Sequence, residues 1–169
     1  AVAYVVTSAG RAGSLRSVPA YIHTAVQSAT YPIWYQTNWY RESLTTGSEV
    51  VALGESLWRK SGLGPQNIDV AQIYDHFAPL VLTSLEDLGF CSKGEAGAFV
   101  GEGRIGLEGE LPLNTAGGLL SEGYIHGWNL IAEGVRQIRG TSTSQVEDVE
   151  FSLVTSCWGA PTSAVILSR

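Results

Sequence analysis

The sequence predicts an α/β fold in which strands and helices alternate along the chain and stack in layers. Runs of strand length rich in β-branched residues recur along the chain, and stretches with helical spacing of apolar residues separate them. In addition, 44% of the 169 residues are hydrophobic and only 15% are charged. A chain of this length supports one domain that buries about two-thirds of the surface exposed when unfolded. Strands that alternate with helices indicate a layered α/β architecture.

The first elements are predicted from two apolar runs and an aromatic segment. Residues 3–7 are expected to form a buried strand, because they are β-branched without polar alternation and a Ser-Ala-Gly turn follows. Residues 20–26 are the second expected strand. Residues 31–40 contain five aromatic side chains in ten positions, and the intervening proline and polar residues predict a loop. The polar residues are Gln36, Thr37 and Asn38. This loop suits either a flat apolar substrate or a protein interface, and the interface is slightly favoured.

The middle of the chain predicts two helices and a strand. Ser48 is expected to cap a helix whose apolar residues recur at helical spacing and which ends near Gly62. Residues 68–74 have strand character. Pro79 is expected to open a short helix through Leu88, with Gly89 able to end it. Residues 94–112 contain six glycines and are expected to form a long, turn-rich excursion.

The last third predicts one helix and two strands. Residues 123–139 are expected to be an amphipathic helix that stops at Gly140. Residues 149–156 and 163–167 are expected to be strands joined by a turn containing proline and glycine. No internal repeat is evident. The apolar stripe of the expected helix consists of Tyr124, Trp128, Ile131, Val135 and Ile138.

Composition excludes several classes of function. The formal charge is 10 − 16 = −6 without a basic block, which argues against binding to nucleic acid. No apolar run approaches the roughly 18 residues that cross a bilayer, so no membrane span is expected. Residues 101–106 match G-x-G-x-x-G, but the strand before and the helix after that a dinucleotide site requires are not predicted.

The metal-ligating residue types are sparse and poorly spaced. His23, His76 and His126 have no ligand-like spacing, and Cys91 and Cys157 form neither a disulfide framework nor a metal-binding pair. We therefore expect no metal site and, by default, a reducing cytoplasmic environment. The chain begins at Ala1 and contains no methionine, which predicts that it is part of a longer protein.

Two constellations have the residue types that catalysis uses. Tyr74-Asp75-His76-Phe77 follows a predicted strand, and sites gather at strand ends in α/β folds. On spacing alone, an ordinary strand end is the favoured interpretation. Residues 114–127 are rich in glycine, so the backbone N–H groups of Gly117 and Gly118 are candidates to receive an oxyanion at a helix start. An ordinary glycine-rich helix entry explains that segment equally well.

These segments resemble the thiolase family. Residues 114–127 resemble its loop N-x-x-G-G-x-x-x-x-G-H-P-x-G, Cys157-Trp158-Gly159 resembles its later C-x-G turn, and residues 74–78 lie where it has N-E-A-F-A. Residues 7–11 are similar to the end of the first thiolase half. The resemblance covers the whole chain and implies a thiolase-like α/β/α fold, the C-terminal half of a two-fold-repeated subunit. Residues 1–15 would then end the N-terminal half, and residues 16–169 would form the C-terminal domain.

The departures from the thiolase pattern change the implied chemistry. Tyr124 replaces the histidine of G-H-P, Ile125 replaces its proline, and Tyr74 replaces the asparagine of N-E-A-F-A. The combination resembles the lipid-transfer-protein-type members of the superfamily, which include acyl-CoA retro-aldolases of bacterial steroid side-chain breakdown. A tyrosine whose pKa lies near 10 does not replace the near-neutral histidine base that activates the thiolase cysteine. It serves as an acid or a base in a retro-aldol cleavage if its pKa is moderated.

The resemblance therefore implies carbon–carbon cleavage of a β-hydroxyacyl-CoA, such as a steroid or lipid side-chain thioester. Tyr124 and Tyr74 would be the acid–base pair, with Tyr124 acting on the hydroxyl. The side chains that would orient them or tune their pKa values are those of His126, Asp75 and His76, and the enolate hole would be formed by Gly117 and Gly118. Cys157 is either a retained proton-transfer group or an inert buried thiol, and no cofactor beyond the CoA of the substrate is implied.

Two alternatives remain at this point. One is a non-decarboxylating thiolase that uses Cys157 for acyl transfer, and the other is a catalytically inactive thiolase-fold subunit that carries lipid or acts as a scaffold. The resemblance further implies a homodimer and a small zinc-containing, OB-fold partner protein.

Overall fold

A mixed four-stranded sheet forms the centre of the protein in the computed structural model, which describes residues 1–35 and 38–169. Gln36 and Thr37, in the expected aromatic loop, lie outside the described residues. The rest of that segment is without helix or strand, as expected. The elements are α1 (Ala9–Ala12), β1 (Tyr21–Ser28), α2 (Ser48–Ser61), a 3₁₀ turn (Pro65–Asn67), β2 (Val70–Ile73), α3 (Ala78–Asp87), α4 (Ala96–Gly101), α5 (Gly118–Ser121), α6 (Trp128–Arg139), β3 (Phe151–Thr155) and β4 (Thr162–Ser168).

The strand order places three strand ends at one edge of the sheet. The order is β1-β4-β3-β2, with β2 parallel to β3, and β4 antiparallel to both of its neighbours. Consequently β1, β2 and β3 run in the same direction. The segments that leave their C-terminal ends begin at residues 29, 74 and 156 and emerge at one edge, which we call the upper edge.

Helices cover both faces of the sheet and create two hydrophobic cores. On one face, α2, α3 and α4 pack against side chains such as Ile73, Leu153 and Ile166. On the other face, α6 packs against Val70, Val154 and Leu167. Successive residues of each strand point to opposite faces, so the continuous apolar runs of β2 and β3 supply both cores. The predicted layered α/β/α arrangement is confirmed.

Residues 3–7 do not form the predicted strand. Val5 and Val6 are 94% and 79% exposed. β-Branched residues favour strands chiefly when a ladder partner and a packed face are available. No strand in the described part of the chain pairs with this segment, and Tyr4 instead stacks on Trp128 with 5.4 Å between ring centroids.

The predicted helix over residues 123–139 is too long at its N-terminal end. The helix begins at Trp128, because His126 and Gly127 have φ values of 53° and 80°, which a helix does not accommodate. Its C-terminal end at Gly140 is as predicted, with φ 69°. The predicted stripe is wrong at Tyr124 and Trp128, which are exposed, whereas Ile131, Val135 and Ile138 pack in the core as expected. The buried face of α6 consists of Asn129, Leu130, Glu133, Gly134, Gln137 and Ile138.

Two smaller predictions also need correction. Gly47, and not Ser48, is the N-cap of α2, and the Ser48 hydroxyl lies 3.0 Å from that of Thr30. The glycine-rich region of residues 94–112 is not turns throughout, because α4 forms within it around the buried Phe99. Burial of this one large side chain favours a helical turn despite the two glycines of α4. No helix of the described residues is both long and apolar enough to cross a membrane.

Candidate active site

Tyr74 lies at the upper edge, immediately after β2. Its backbone N–H donates to the Thr155 carbonyl at 3.0 Å, which continues the β2–β3 ladder by one residue. Its ring lies 4.9 Å from that of His76, centroid to centroid. The ring also packs against Gly127, where a Cβ would lie 3.1 Å from Tyr74 Cδ2. The glycine before α6 therefore allows the phenol to pack close to the start of that helix.

Tyr124 approaches Tyr74 from the loop between α5 and α6. Tyr124 is 68% exposed, and its ring lies 4.6 Å from that of His126. Its side chain lies close enough to Tyr74 to contribute to the raised pKa of that phenol. The left-handed backbone at His126 and Gly127 separates Tyr124 from the helix, so the side chain belongs to the site and not to the core.

Burial shifts the pKa values of Tyr74 and His76 in opposite directions. Burial, followed by the interaction with the Tyr124 side chain and then the charge of Asp75, raises the pKa of Tyr74 to about 12. Tyr74 therefore keeps its proton at neutral pH. Burial also lowers the pKa of His76, against smaller opposing effects of the Tyr74 carbonyl and Asp75. His76 is thus a neutral imidazole beside the phenol at pH 7.

Tyr74 lines an apolar cleft of about 320 Å³, and so does His126, two residues after Tyr124. Its walls come from β1, β3, β4 and α6, and Tyr74, His126 and Gly127 line one end. An apolar cleft with a few convergent polar groups is the usual form of a small-molecule site. The apolar wall residues include Val26, Leu130, Ile131, Val154 and Val165.

The other predicted site residues at this edge, Asp75, Gly117 and Gly118, form contacts that fix the backbone of the glycine-rich segment. Asp75 accepts hydrogen bonds from the Leu119 N–H, with 3.1 Å from the nitrogen to each carboxylate oxygen. Gly117 already donates its N–H to the Asn114 carbonyl at 2.7 Å. Its N–H is therefore engaged and does not point to an enolate in this arrangement. Gly118 is buried against the Asp75 carboxylate.

Cys157 is not brought together with the tyrosines. It is fully buried in the core shared with α2 and α3, on the face opposite the cleft-lining Val154. Its Sγ lies 2.7 Å from Ser84 Oγ and donates to the Leu80 carbonyl at 3.2 Å. Burial raises the pKa of the thiol to about 11, with hydrogen bonds from Ser84 and the Trp158 backbone opposing it. A thiol in this state is a poor nucleophile.

Sequence reasoning missed Asn114 as a residue of this site. Its side-chain amide accepts from the Ile73 N–H at 2.8 Å and donates to the Ile73 carbonyl at 2.9 Å. Its φ of 50° is left-handed, a conformation that asparagine tolerates better than most residues. The available signal was its place as the first residue of the glycine-rich segment. Elsewhere, the described residues contain no group of three His, Cys, Asp or Glu arranged to hold a metal ion.

Comparison with known proteins supports the resemblance to the thiolase family. Residues 33–169 match the family model described as thiolase C-terminal domain-like. The chain is 50% identical over 167 residues to the 17-hydroxy-3-oxo-4-pregnene-20-carboxyl-CoA lyase of Mycobacterium tuberculosis, covering 99% of this chain and 43% of that protein. It is 48% identical over 165 residues to the steroid side-chain-cleaving aldolase of Thermomonospora curvata, covering 98% and 42%.

A solved structure is also similar. It is described as the Ltp2-ChsH2(DUF35) aldolase and superposes with a TM-score of 0.91 at 47% identity, covering 95% of this chain and 42% of that one. The chain thus spans less than half the length of the relatives that it matches.

Proposed function

Because the chain belongs to the thiolase C-terminal domain-like family, we propose that it supplies the acid–base residues of an acyl-CoA aldolase, a carbon–carbon lyase. The observation that carries the proposal is the protonated Tyr74 in the cleft wall with Tyr124 beside it, whereas the thiol of Cys157 is buried on the opposite face. Acyl transfer needs an accessible nucleophile, whereas retro-aldol cleavage needs an acid and a base. The residues present suit the second reaction.

The proposed step needs no other reactant. Tyr124, as the phenolate, accepts the proton of the β-hydroxyl, the C–O bond becomes a carbonyl, and the bond between the α- and β-carbons breaks. Its electron pair passes to the α-carbon and spreads into the thioester as an enolate. Tyr74 then donates its proton to the α-carbon, and the proton gained by Tyr124 passes to Tyr74, which restores both side chains. The raised pKa of Tyr74 supports this role, since an acid must hold its proton until the enolate forms.

The proposed substrate is a steroid or lipid side-chain β-hydroxyacyl-CoA. The M. tuberculosis relative is named for the 17-hydroxy-3-oxo-4-pregnene-20-carboxyl-CoA thioester, in which a hydroxyl is placed for such a cleavage, and the T. curvata relative is named for steroid side chains. CoA enters only as part of this substrate, and no separate cofactor or metal is proposed.

We also propose a homodimer, a small OB-fold partner that contains zinc, and a cytoplasmic location. The similar aldolase structure is described as two components, Ltp2 and ChsH2(DUF35), which supports a partner. Cys91 and Cys157 are free thiols, which suits a reducing compartment. Size determination of the full-length protein, alone and with its partner, tests the assembly.

The reaction is tested with the full-length protein and the thioester for which the M. tuberculosis relative is named. We expect the ring ketone and the shortened acyl-CoA to form in equal amounts without added CoA. Mass spectrometry of both products measures this. Product formation that requires free CoA would instead support the thiolase alternative, and an absence of turnover with partner present would support the inactive subunit.

A further inference from the structure

The segment that carries Tyr124 is fastened to β2 on both sides of Tyr74. On the N-terminal side, the Asn114 amide pairs with both backbone groups of Ile73, at 2.8 and 2.9 Å. The Asn114 side chain thus makes the two hydrogen bonds with Ile73 that the backbone of a neighbouring strand would otherwise make. It fixes where the segment leaves β2, one residue before the phenol.

On the C-terminal side, the Asp75 carboxylate receives the Leu119 N–H on both oxygens at 3.1 Å. Gly118 makes room for this contact, because a Cβ at that position would overlap the carboxylate. Gly118 also has a φ of 64°, a left-handed conformation in which a residue with a side chain would be strained. Leu119 is five residues before Tyr124, so the contact fixes the approach of the second phenol.

The two contacts lie at consecutive positions around one catalytic group. Ile73 is bound by Asn114, Tyr74 follows, and Asp75 binds Leu119. The segment between the two contact points is short and includes the turn in which Gly117 donates to Asn114. Two short, directional contacts therefore determine how close the Tyr124 loop lies to Tyr74.

We propose that Asn114 and Asp75 are positioning residues that hold Tyr124 against Tyr74. The inference rests on the proposed function and deepens it. Neither side chain needs to touch the substrate. Both act by keeping the two hydroxyls at the separation that proton transfer requires, and a displacement of about 1 Å costs about 100-fold in rate.

The first test measures turnover of Asp75→Ala and Asn114→Ala in the full-length protein with its partner. We expect kcat to fall about 100-fold in each, with KM changed less than about threefold, because an interaction used only for orientation in the transition state is lost. Asp75→Asn keeps an oxygen that accepts from Leu119, and we expect it to recover kcat to within about tenfold of the wild type.

Asp69 offers a matched control, because it lies next to the opposite end of β2. Its Oδ2 accepts from the Glu150 and Phe151 N–H groups at 2.8 Å, the same type of contact at the start of β2. We expect Asp69→Ala to lower Tm to a similar extent but to leave kcat within about twofold, since it lies away from the phenols. Equal losses of kcat in Asp69→Ala and Asp75→Ala would overturn the proposal.

A second readout asks whether Asp75 acts through Tyr124. In a Tyr124→Phe background the phenol to be positioned is absent, so we expect Asp75→Ala to reduce the residual rate by less than about twofold further. A full, independent loss in that background would contradict the proposal.

The contact is also tested without turnover, so that failure of the positioning role and failure of the aldolase function are distinguishable. Amide hydrogen exchange at Leu119 is expected to accelerate at least about tenfold in Asp75→Ala and to be unchanged in Asp69→Ala. Unchanged exchange in Asp75→Ala would overturn the positioning role even if the enzyme is an aldolase. Accelerated exchange in a protein that does not cleave the thioester would overturn the aldolase function alone.

Discussion

Tyr74 and Cys157 lie at the ends of neighbouring strands, and burial changes both groups in the same direction. It raises the pKa of Tyr74 to about 12 and that of Cys157 to about 11. Both groups therefore remain protonated at neutral pH. For a nucleophile this is disabling, because the thiolate is the reactive form. For a general acid it is a requirement.

The difference between the two regions lies in what surrounds each protonated group. Tyr74 reaches the cleft rim and a second phenol, whereas Cys157 contacts Ser84 and the Leu80 carbonyl inside the core. One is accessible to a substrate and the other is not. In the proposed mechanism, Tyr74 and Tyr124 therefore perform the chemistry, and the cysteine that persists does not.

Loss of the Tyr74 hydroxyl should have the largest effect. We expect Tyr74→Phe to lower kcat on the β-hydroxyacyl-CoA by about 100- to 10,000-fold, the usual contribution of a positioned acid or base. The phenyl ring keeps its packing against Gly127 and His76, so Tm should change little. Steady-state kinetics and thermal unfolding measure the two effects. Unchanged turnover in the folded variant would remove Tyr74 from the mechanism.

The rate at which Cys157 is alkylated should be lower in the native protein than in the unfolded one, by a smaller factor than the loss expected for Tyr74→Phe. Its pKa rises from 9.0 to about 11, so at pH 8 the thiolate fraction is about 100-fold lower than that of an unshifted thiol. We expect iodoacetamide to modify Cys157 at least about 100-fold more slowly in the native protein than in the unfolded one. The modified fraction is followed by peptide mass spectrometry over time. Comparable rates in the two states would show that Cys157 is accessible and ionised.

The fold was predictable where apolar periodicity and packing agree. The strand at residues 68–74 and the helix that Pro79 opens have this property, and both are confirmed with small shifts at their ends. Residues 3–7 show the limit, because β-branched composition does not reveal whether a ladder partner exists.

The helix at residues 123–139 shows another limit. Tyr124 fits its spacing by coincidence, and only the backbone conformation of His126 and Gly127 separates the loop that contains Tyr124 from the helix. Spacing is insensitive to a left-handed residue when apolar side chains continue beyond it.

Which residues form the candidate site could be predicted from the sequence better than how those residues are arranged. The proximity of Tyr74 and Tyr124 follows the resemblance to thiolases, and the structure brings them together. The contact between Asp75 and Leu119, and the amide of Asn114 on Ile73, depend on atomic positions that no spacing encodes. The same is true of the face on which Cys157 is buried, since its strand turns after Thr155 with Cys157 at φ 63°.

The most direct test compares Cys157→Ala with Tyr124→Phe on one β-hydroxyacyl-CoA, in the full-length protein and without free CoA. We expect Cys157→Ala to keep kcat within about threefold per folded molecule while losing about 1–2 kcal/mol of unfolding free energy, because a buried thiol and its contact with Ser84 are removed. Tyr124→Phe should lose about 100-fold or more in kcat with little loss of stability. The reverse result, with Cys157→Ala inactive and Tyr124→Phe active, would contradict cleavage by the tyrosine pair.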